Sequence, residues 1–523
     1  MKGLHFIQQK VTEPIAPQRV DIACFVGFVE FRGGEIPHAI VQTLRESGWL
    51  NFNDSSPSPY FRASAQQLRD VPVPIESWET FDQLFDWESR TISESLQCAT
   101  WLGAAVKAFF AEGGRKCYII NAGAPYEYNL PQAQRLLRIP ELLPGYSGSA
   151  SANRNDRSSW HGVAHLFGLP EVSFLCLPDL VDICRGDQSP YSTEYPEPPL
   201  PEEQFVECSQ GTTEVLPDNS LMEIRPPQYG EADYKLWQTL IGELAERVRQ
   251  LHREVQLITS IPLPHEQARA ASRLPDCVYQ YGWFSRELLD DTGMQSAFVQ
   301  LNYPWLKTRY DNFLPQGLQP GEGSLVGLLA KNALTRGTFR SAVPVAQQQL
   351  IDIFPKLSLA EISAPRMSIG SAAPGAPLED RVSLWHVGAY GQIKLRSDVT
   401  TSNSVIYRNA SVSRTMAMIL RFCRHLGEEF IFERNGEQLW RKITDRLEGY
   451  LAQLYQIGVL DGRTERDAYS VHCDRSIMTQ YELDKGIVKA EVVVNITASL
   501  ETMIIAFSVQ GNNETGLLAE GAA

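Results

Sequence analysis

Three short stretches of this sequence carry residue types that could do chemistry. In "HGVAH", His161 and His165 stand four positions apart, so on a helix they would share one face, as two metal ligands must. Gly162 weakens such a helix, no glutamate takes the second place of a His-Glu-x-x-His pattern, and no third ligand lies nearby. A packed or capping role is therefore the stronger reading. "GYSGS", Gly145 to Ser149, approaches a nucleophile elbow but lacks its final glycine, and it sits in the polar run "SGSASANRND", which reads as a loop. "PGEGSLVG", Pro320 to Gly327, has glycines without the Gly-Lys-Ser/Thr that cradles phosphates. Carboxylates are plentiful, but nothing singles out a pair for acid–base work. No catalytic, cofactor-binding or metal residue is assigned, and no cofactor is expected.

One charge pattern stands out. In "SVSRTMAMILRFCRHL", Val412, Met416, Ile419, Cys423 and Leu426 make an apolar helix face, while Arg414, Arg421 and His425 cluster opposite and Arg424 lies on the flank. Such a stripe is usually a solvated surface, but in an acidic chain it is also a candidate docking face for an acidic partner.

The chain is acidic, with a formal net charge of -15, which argues against a nucleic-acid binder because phosphate neutralisation by Lys and Arg supplies most of that affinity. Its 523 residues, 43% hydrophobic and 21% charged, suit roughly two to four globular domains. The start, "MKGLHFIQQK", lacks a signal-peptide core, and no stretch of about 18 apolar residues occurs, so neither export by the usual route nor membrane insertion is expected. The nine cysteines form no Cys-x-x-Cys pair and sit mostly in apolar runs such as "IACFVGF", the pattern of small buried hydrophobes in a reducing compartment.

The elements that must position these groups divide the chain into four parts. Residues 1–20 read as an arm and linker, because "TEPIAPQ" with its two prolines disfavours a return turn. Residues 21–375 alternate strands with helices, an α/β pattern: "VDIACFVGFVEF", "KCYIINA", "EVSFLCLPD", "EVQLITSIP" and "SAFVQLNYPW" are strands. Helices are expected over "SWETFDQLFD" with Ser77 as N-cap, over "SLQCATWLGAAVKAFFAEGG", and over 232–253; the proline-rich stretch 187–230 is a surface loop. Residues 376–500 read as an α+β unit: the hairpin "RVSLWHVGAYGQI", helices over 404–427 and 437–457, the second capped by Asn435, then the strands "DAYSVHCD" and "EVVVNITAS". The last part, 501–523, alternates in "LETMIIAFSVQ", where Met503, Ile505, Phe507 and Val509 mark one strand face, and ends in "GNNETGLLAEGAA", expected to fray. The joint "TASLE" holds no turn-forming residue, so the last strand is expected to pair elsewhere than with its predecessor.

An ordered set of segments resembles the tail-sheath proteins of contractile phages and, more closely, the sheath subunits of phage-like contractile injection systems. The set runs "VDIACFVGFVEF" with "PVPIESWETFDQLFD", "LGAAVKAFFAEGGRKCYIINA", "SSWHGVAHLFGLPEVSFLCLPDL", "FVQLNYPWLK", "PGEGSLVGLLAKNALTRGTFRSA", and the long block from "FERNGEQLWRKITDRLEGYLAQLYQIGVLDGRTERDAYSVHCD" to "DKGIVKAEVVVNITASLETMIIAFSVQ". "TASLE" replaces the family's proline-rich joint, and the N-terminus lacks the PGVY-like start. The resemblance implies a non-enzymatic subunit with an outer α/β domain, an inner α+β domain facing a tube, and strand arms at both ends. Implied partners are copies of itself in stacked six-fold rings, an inner tube protein, and baseplate and terminal cap proteins, within a cytoplasmically assembled particle. On that reading Arg414, Arg421, Arg424 and His425 would face the tube, and Leu4, Phe6, Met503, Ile505, Phe507 and Val509 would pair with neighbouring subunits. The alternatives are an α/β hydrolase-type or nucleotide-dependent enzyme without a recognisable motif, and a non-contractile tail component.

Overall fold

The computed structural model describes residues 19–50, 63–93, 96–188, 224–265, 294–309, 313–343, 346–347, 349–363, 376–388, 390–430, 433–497, 505–510 and 514–519, with 346–347 and the last two segments described by backbone alone. The expected N-terminal arm with Leu4 and Phe6, most of the proline-rich loop, and Met503 lie outside these residues.

Nine strands make one sheet. In chain order they are β1 (Ala23–Phe28), β2 (Pro72–Ile75), β3 (Cys117–Gly123), β4 (Phe174–Cys176), β5 (Gln256–Ser260), β6 (Val299–Tyr303), β7 (Ala346–Gln347), β8 (Ser383–Val387) and β9 (Ile393–Leu395). Their order across the sheet is β7-β9-β8-β6-β5-β4-β1-β3-β2. The six from β3 to β8 are mutually parallel, and β2, β9 and β7 close the two edges antiparallel.

Parallel strands must be covered on both faces, so they read as near-continuous apolar runs, as "ACFVGF" and "FLC" do. Alternation then sorts them between two cores. Ala23, Phe25, Cys117, Ile119 and Phe174 pack with α1 (Trp101–Ala111) and α3 (Glu322–Thr335). Cys24, Val26, Tyr118, Ile120 and Leu175 pack beneath α2 (Glu231–Leu251), whose Trp237, Leu240, Leu244 and Val248 are buried as its periodicity predicts. The expected cap forms, with Ser77 Oγ accepting from Thr80 N at 3.2 Å at the head of the short helix Trp78–Leu84; α1 has a cap the sequence reading did not single out, Thr100 Oγ1 accepting from Gly103 N at 3.2 Å.

Three boundaries differ from the sequence reading. The hairpin β8–β9 joins the large sheet, since Asn302 and Tyr303 of β6 pair with Ser383 and Leu384 of β8. We therefore take the C-terminal unit as the set of elements from Ala410 onward, without this hairpin. A hairpin pattern fixes how two strands pair with each other, not which sheet they extend. Second, the helix expected over 404–427 is split: Val405–Arg408 is its own turn, and extended backbone at Asn409 (φ -72°, ψ 114°) separates it from α4 (Ala410–Phe430). Third, Gly436 rather than Asn435 caps α5 (Glu437–Gln456), and Asn435 Oδ1 instead accepts from Trp440 Nε1 at 2.9 Å. Within the proline-rich stretch, Gln228–Tyr229 is a buried short strand on Leu263–Pro264.

α4 and α5 enclose a third core, with Ile419, Phe422 and Leu426 against Leu447, Tyr450, Leu451 and Leu454, and with Phe422 and Tyr450 stacked at 3.9 Å between ring centres. The strands β10 (Tyr469–His472) and β11 (Glu491–Val494) pair antiparallel on it, as expected for "DAYSVHCD" and "EVVVN". The stretch expected to fray instead contains β13 (Glu514–Ala519), paired antiparallel with β12 (Ile505–Gln510). Gly511, Asn512 and Asn513 between them are the turn-forming residue types that "TASLE" lacks. Among the described residues, no helix is long and apolar enough to cross a membrane.

The glycines of "PGEGSLVG" explain how α1 and α3 touch. A Cβ on Gly323 would lie 2.3 Å from the Ala105 carbonyl oxygen, and one on Gly327 would lie 2.5 Å from that of Phe109. Alanine normally improves a helix by about 0.5–1 kcal/mol over glycine, but overpacking against rigid backbone costs about 1–3 kcal/mol. The clash wins. Gly323→Ala is expected to lower the unfolding midpoint, measured by thermal denaturation, whereas Gly34→Ala, with nothing within 4 Å, leaves it in place.

Candidate functional site

The three stretches with chemical potential resolve into structural roles. "HGVAH" forms a short 3₁₀ helix (Gly162–Gly168), and both imidazoles turn to one carboxylate: His161 Nδ1 bonds Asp70 Oδ2, and His165 Nε2 lies 3.1 Å from Asp70 Oδ1. His165 is buried between Trp49 and Trp160, with ring centres 5.1 and 6.5 Å away. Burial alone would raise the Asp70 pKa, but the bonds from His161 and then His165 outweigh it and hold the carboxyl well below the usual range. Among the described residues, no group of three or more His, Cys, Asp or Glu could hold a metal ion. In "GYSGS", Ser147 sits in a left-handed turn (φ 51°) and Ser149 Oγ accepts from Gly145 N at 2.9 Å, so both serve the loop.

The carboxyl ends of the parallel strands are where doubly wound sheets hold ligands, in the crevice where strand order reverses. Here the reversal lies at β1, between β3 and β4. The chain's own carboxyl groups occupy this end. Asp179, just past β4, accepts from Phe28 N at 2.8 Å, and a Cβ on Gly27 would lie 2.2 Å from its Oδ2. Asp182, fully buried, is bonded by Arg90 and, at 2.6 Å, by Arg185, whose guanidinium lies 4.7 Å from the Tyr128 ring centre. At the end of β5, Glu322 accepts from Ser260 N at 2.9 Å and is fully buried. Burial pushes Asp179 up to about 7 against the pull of the Phe28 N–H and Arg90. Burial pushes Glu322 up to about 8, against the Ser260 N–H and with help from the Asp179 charge.

Two of the four residues of the basic stripe on α4 are buried within the subunit. Arg414 is 6% exposed, and its fork grips Asp398 at 2.9 and 2.6 Å. Arg421 is 7% exposed and donates to the carbonyls of Arg19 (2.9 Å), Val172 (2.7 Å) and Glu254 (3.3 Å) and to Ser173 Oγ (3.0 Å). Burial pulls its pKa below the usual guanidinium value, with Glu254 opposing. Arg424 is ion-paired with the nearly buried Glu254, and His425 alone of the four is exposed. α4 is thus buried on two sides, by its apolar face in the third core and by its basic face against the sheet. Its helical periodicity shows the two faces but not what each meets. The acceptors that decide the matter lie up to 402 positions away.

The strand edges differ in the same way. β2, an edge of the large sheet, contains Pro72 and Pro74, which cannot donate to a further strand, and the opposite edge strand β7 is two residues long. In the small sheet, β11 pairs, among the described residues, with β10 alone, and Val493 is 55% exposed. The backbone pairing of β12 with β13 places Ile505, Phe507 and Val509 opposite Ala519, Leu517 and Thr515 of the same chain.

No family model matches this chain, and no curated protein matches it. Solved structures match end to end. A chain of the contracted anti-feeding prophage baseplate is 13% identical, with a TM-score of 0.58 over 98% of this chain and 99% of that one. A chain of the six-fold symmetrised baseplate of the same particle is 15% identical, with a TM-score of 0.54 over 97% and 100%. A chain of the PVC sheath complex, an extracellular contractile injection system in the contracted state, is 15% identical, with a TM-score of 0.52 over 98% of each. The chain has the fold of contractile tail-sheath proteins.

The carboxyls at the strand ends carry a pH signature. A buried acid whose folded pKa is raised contributes fully below its unfolded value near 4.3, and that contribution is lost as pH rises through its folded value. For Glu322 the loss runs from there to about pH 8 and then levels off. Glu322→Gln retains an acceptor for Ser260 N and removes the titration. Wild-type unfolding midpoints should fall between pH 6 and 9 more steeply than those of Glu322→Gln; parallel curves would contradict the assignment.

Proposed function

We propose that this chain is a structural subunit of the contractile sheath of a phage-tail-like injection system. It stacks as rings around an inner tube and contracts to drive that tube through a target envelope. The observation that carries the proposal is the fold likeness over essentially the whole of both chains, including a sheath complex in its contracted state. The filled strand ends agree with a scaffold role, because side chains of this chain occupy the place where such sheets hold ligands.

Joining of subunits follows from the open edges. The free side of β11 is the receiving edge, and the terminal segments, residues 1–18 and the β12–β13 hairpin, supply strands to neighbouring copies. Each main-chain hydrogen bond contributes a net ~1 kcal/mol, and buried Val or Ile side chains add ~1.5–3 kcal/mol each. Ordering costs roughly 1–2 kcal/mol per residue. Such a joint is firm only where side chains are buried together with the backbone pairing. β12 pairs with β13 within one chain, so the hairpin would add to a neighbour by an outer edge. Of the four residues expected on a tube-facing stripe, His425 is exposed and Arg424 partly so.

Electron microscopy of the protein expressed with its tube partner should show striated hollow cylinders, and a monodisperse monomer at high concentration would count heavily against the proposal. Val493→Lys puts a charge on the receiving edge while leaving the subunit's own pairing intact. It should give folded subunits that form no cylinders, and normal cylinders would show that the edge lies elsewhere.

A further inference from the structure

We propose that Arg421 is a positioning residue for the N-terminal end of the sheet: it fixes the backbone at Arg19, the exit toward residues 1–18, and ties that point to the C-terminal unit. The inference rests on the sheath reading for its purpose but not for its geometry.

The exit is gripped twice at Arg19. Its main-chain carbonyl accepts from Arg421 Nη1 at 2.9 Å, and its side chain is held by the buried Asp21, Nε to Oδ1 at 3.0 Å and Nη2 to Oδ2 at 2.7 Å. The same Arg421 guanidinium reaches the carbonyls of Val172 and Glu254, each two residues ahead of a strand, and Ser173 Oγ. One side chain on α4 therefore gathers the leading ends of β1, β4 and β5, three neighbours in the sheet. A planar fork with several fixed donors can span three carbonyls; a lysine ammonium on a flexible stem cannot hold the same geometry.

The grip continues into the C-terminal unit. Phe422, the next residue, stacks on Tyr450 of α5 at 3.9 Å. Just past the end of α5, Val459 N donates to Leu454 O at 2.9 Å, and Val459 O accepts from Thr497 N at 3.0 Å, where the chain leaves β11 toward β12. The two terminal segments are thus joined by the path Arg19, Arg421, Phe422, Tyr450, Val459, Thr497. A pull on one terminal segment reaches the root of the other through α4 and α5, in parallel with the covalent route through β1. In a sheath whose subunits are linked by these segments, tension passes through the C-terminal unit and keeps the exit direction the same in every copy.

Trypsin tests the grip in the free subunit, because Arg19–Val20 is itself a cleavage site. In wild type the gripped bond should be cut slowly. In Arg421→Lys, which keeps the charge and loses the fork, cleavage after Arg19 should be at least about tenfold faster through local opening, while cleavage at other sites rises much less. Asp21→Asn should act in the same direction. Unchanged cleavage after Arg19 in Arg421→Lys overturns the inference, and so does a rate that rises equally at all sites, since that is general loosening. In assembled cylinders, Arg421→Lys should broaden the spread of helical twist measured by cryo-electron microscopy; an identical twist and spread overturns the coupling. If wild-type protein forms no cylinders, the sheath reading fails, while the trypsin result still decides the grip.

Discussion

Six parallel strands buried on both faces leave only their two ends for polar chemistry, and this constraint organises the molecule. At the carboxyl ends, backbone N–H groups are met by acids: Asp179 takes Phe28 N and Glu322 takes Ser260 N. At the leading ends, carbonyls are met by a cation: Arg421 takes those of Arg19, Val172 and Glu254. Buried backbone groups without partners are costly, so each end needs such a donor or acceptor. The ends that could have held a ligand or a docking partner are instead used to close the fold.

The balance of energies says what these contacts are for. Hydrogen bonds to a charged group contribute roughly 1.5–3 kcal/mol each, and burying an ion costs several kcal/mol. The four bonds of Arg421 therefore roughly offset its desolvation. What they provide is geometry: α4 sits at one place on the leading ends of β1, β4 and β5, whereas an apolar contact would let it slide. The apolar work of α4 is done on its other side, against α5.

Edge chemistry differs between the large sheet and the small C-terminal one. Prolines in β2 and the short β7 end the large sheet, whereas β11 is a strand of valines with one side unpaired among the described residues. That contrast makes the large sheet the more closed of the two at its edges.

The sequence by itself determined the elements. Continuous apolar runs gave β1, β3 and β5, a 3.6-residue period gave α2 and α5, and Ser77 announced a cap, because these signals depend only on neighbours in the chain. The order of segments also carried the resemblance that the fold bears out. Only the tertiary structure decided where those elements meet. It moved the hairpin at 383–395 into the large sheet and paired the C-terminal stretch with β12. It also turned Arg414 and Arg421 inward, onto Asp398 and onto carbonyls as far away as residue 19. A helical stripe of arginines has the same local pattern whether it faces water or a sheet. The difference lies in acceptors brought together by folding, and that is not written in any window of the sequence.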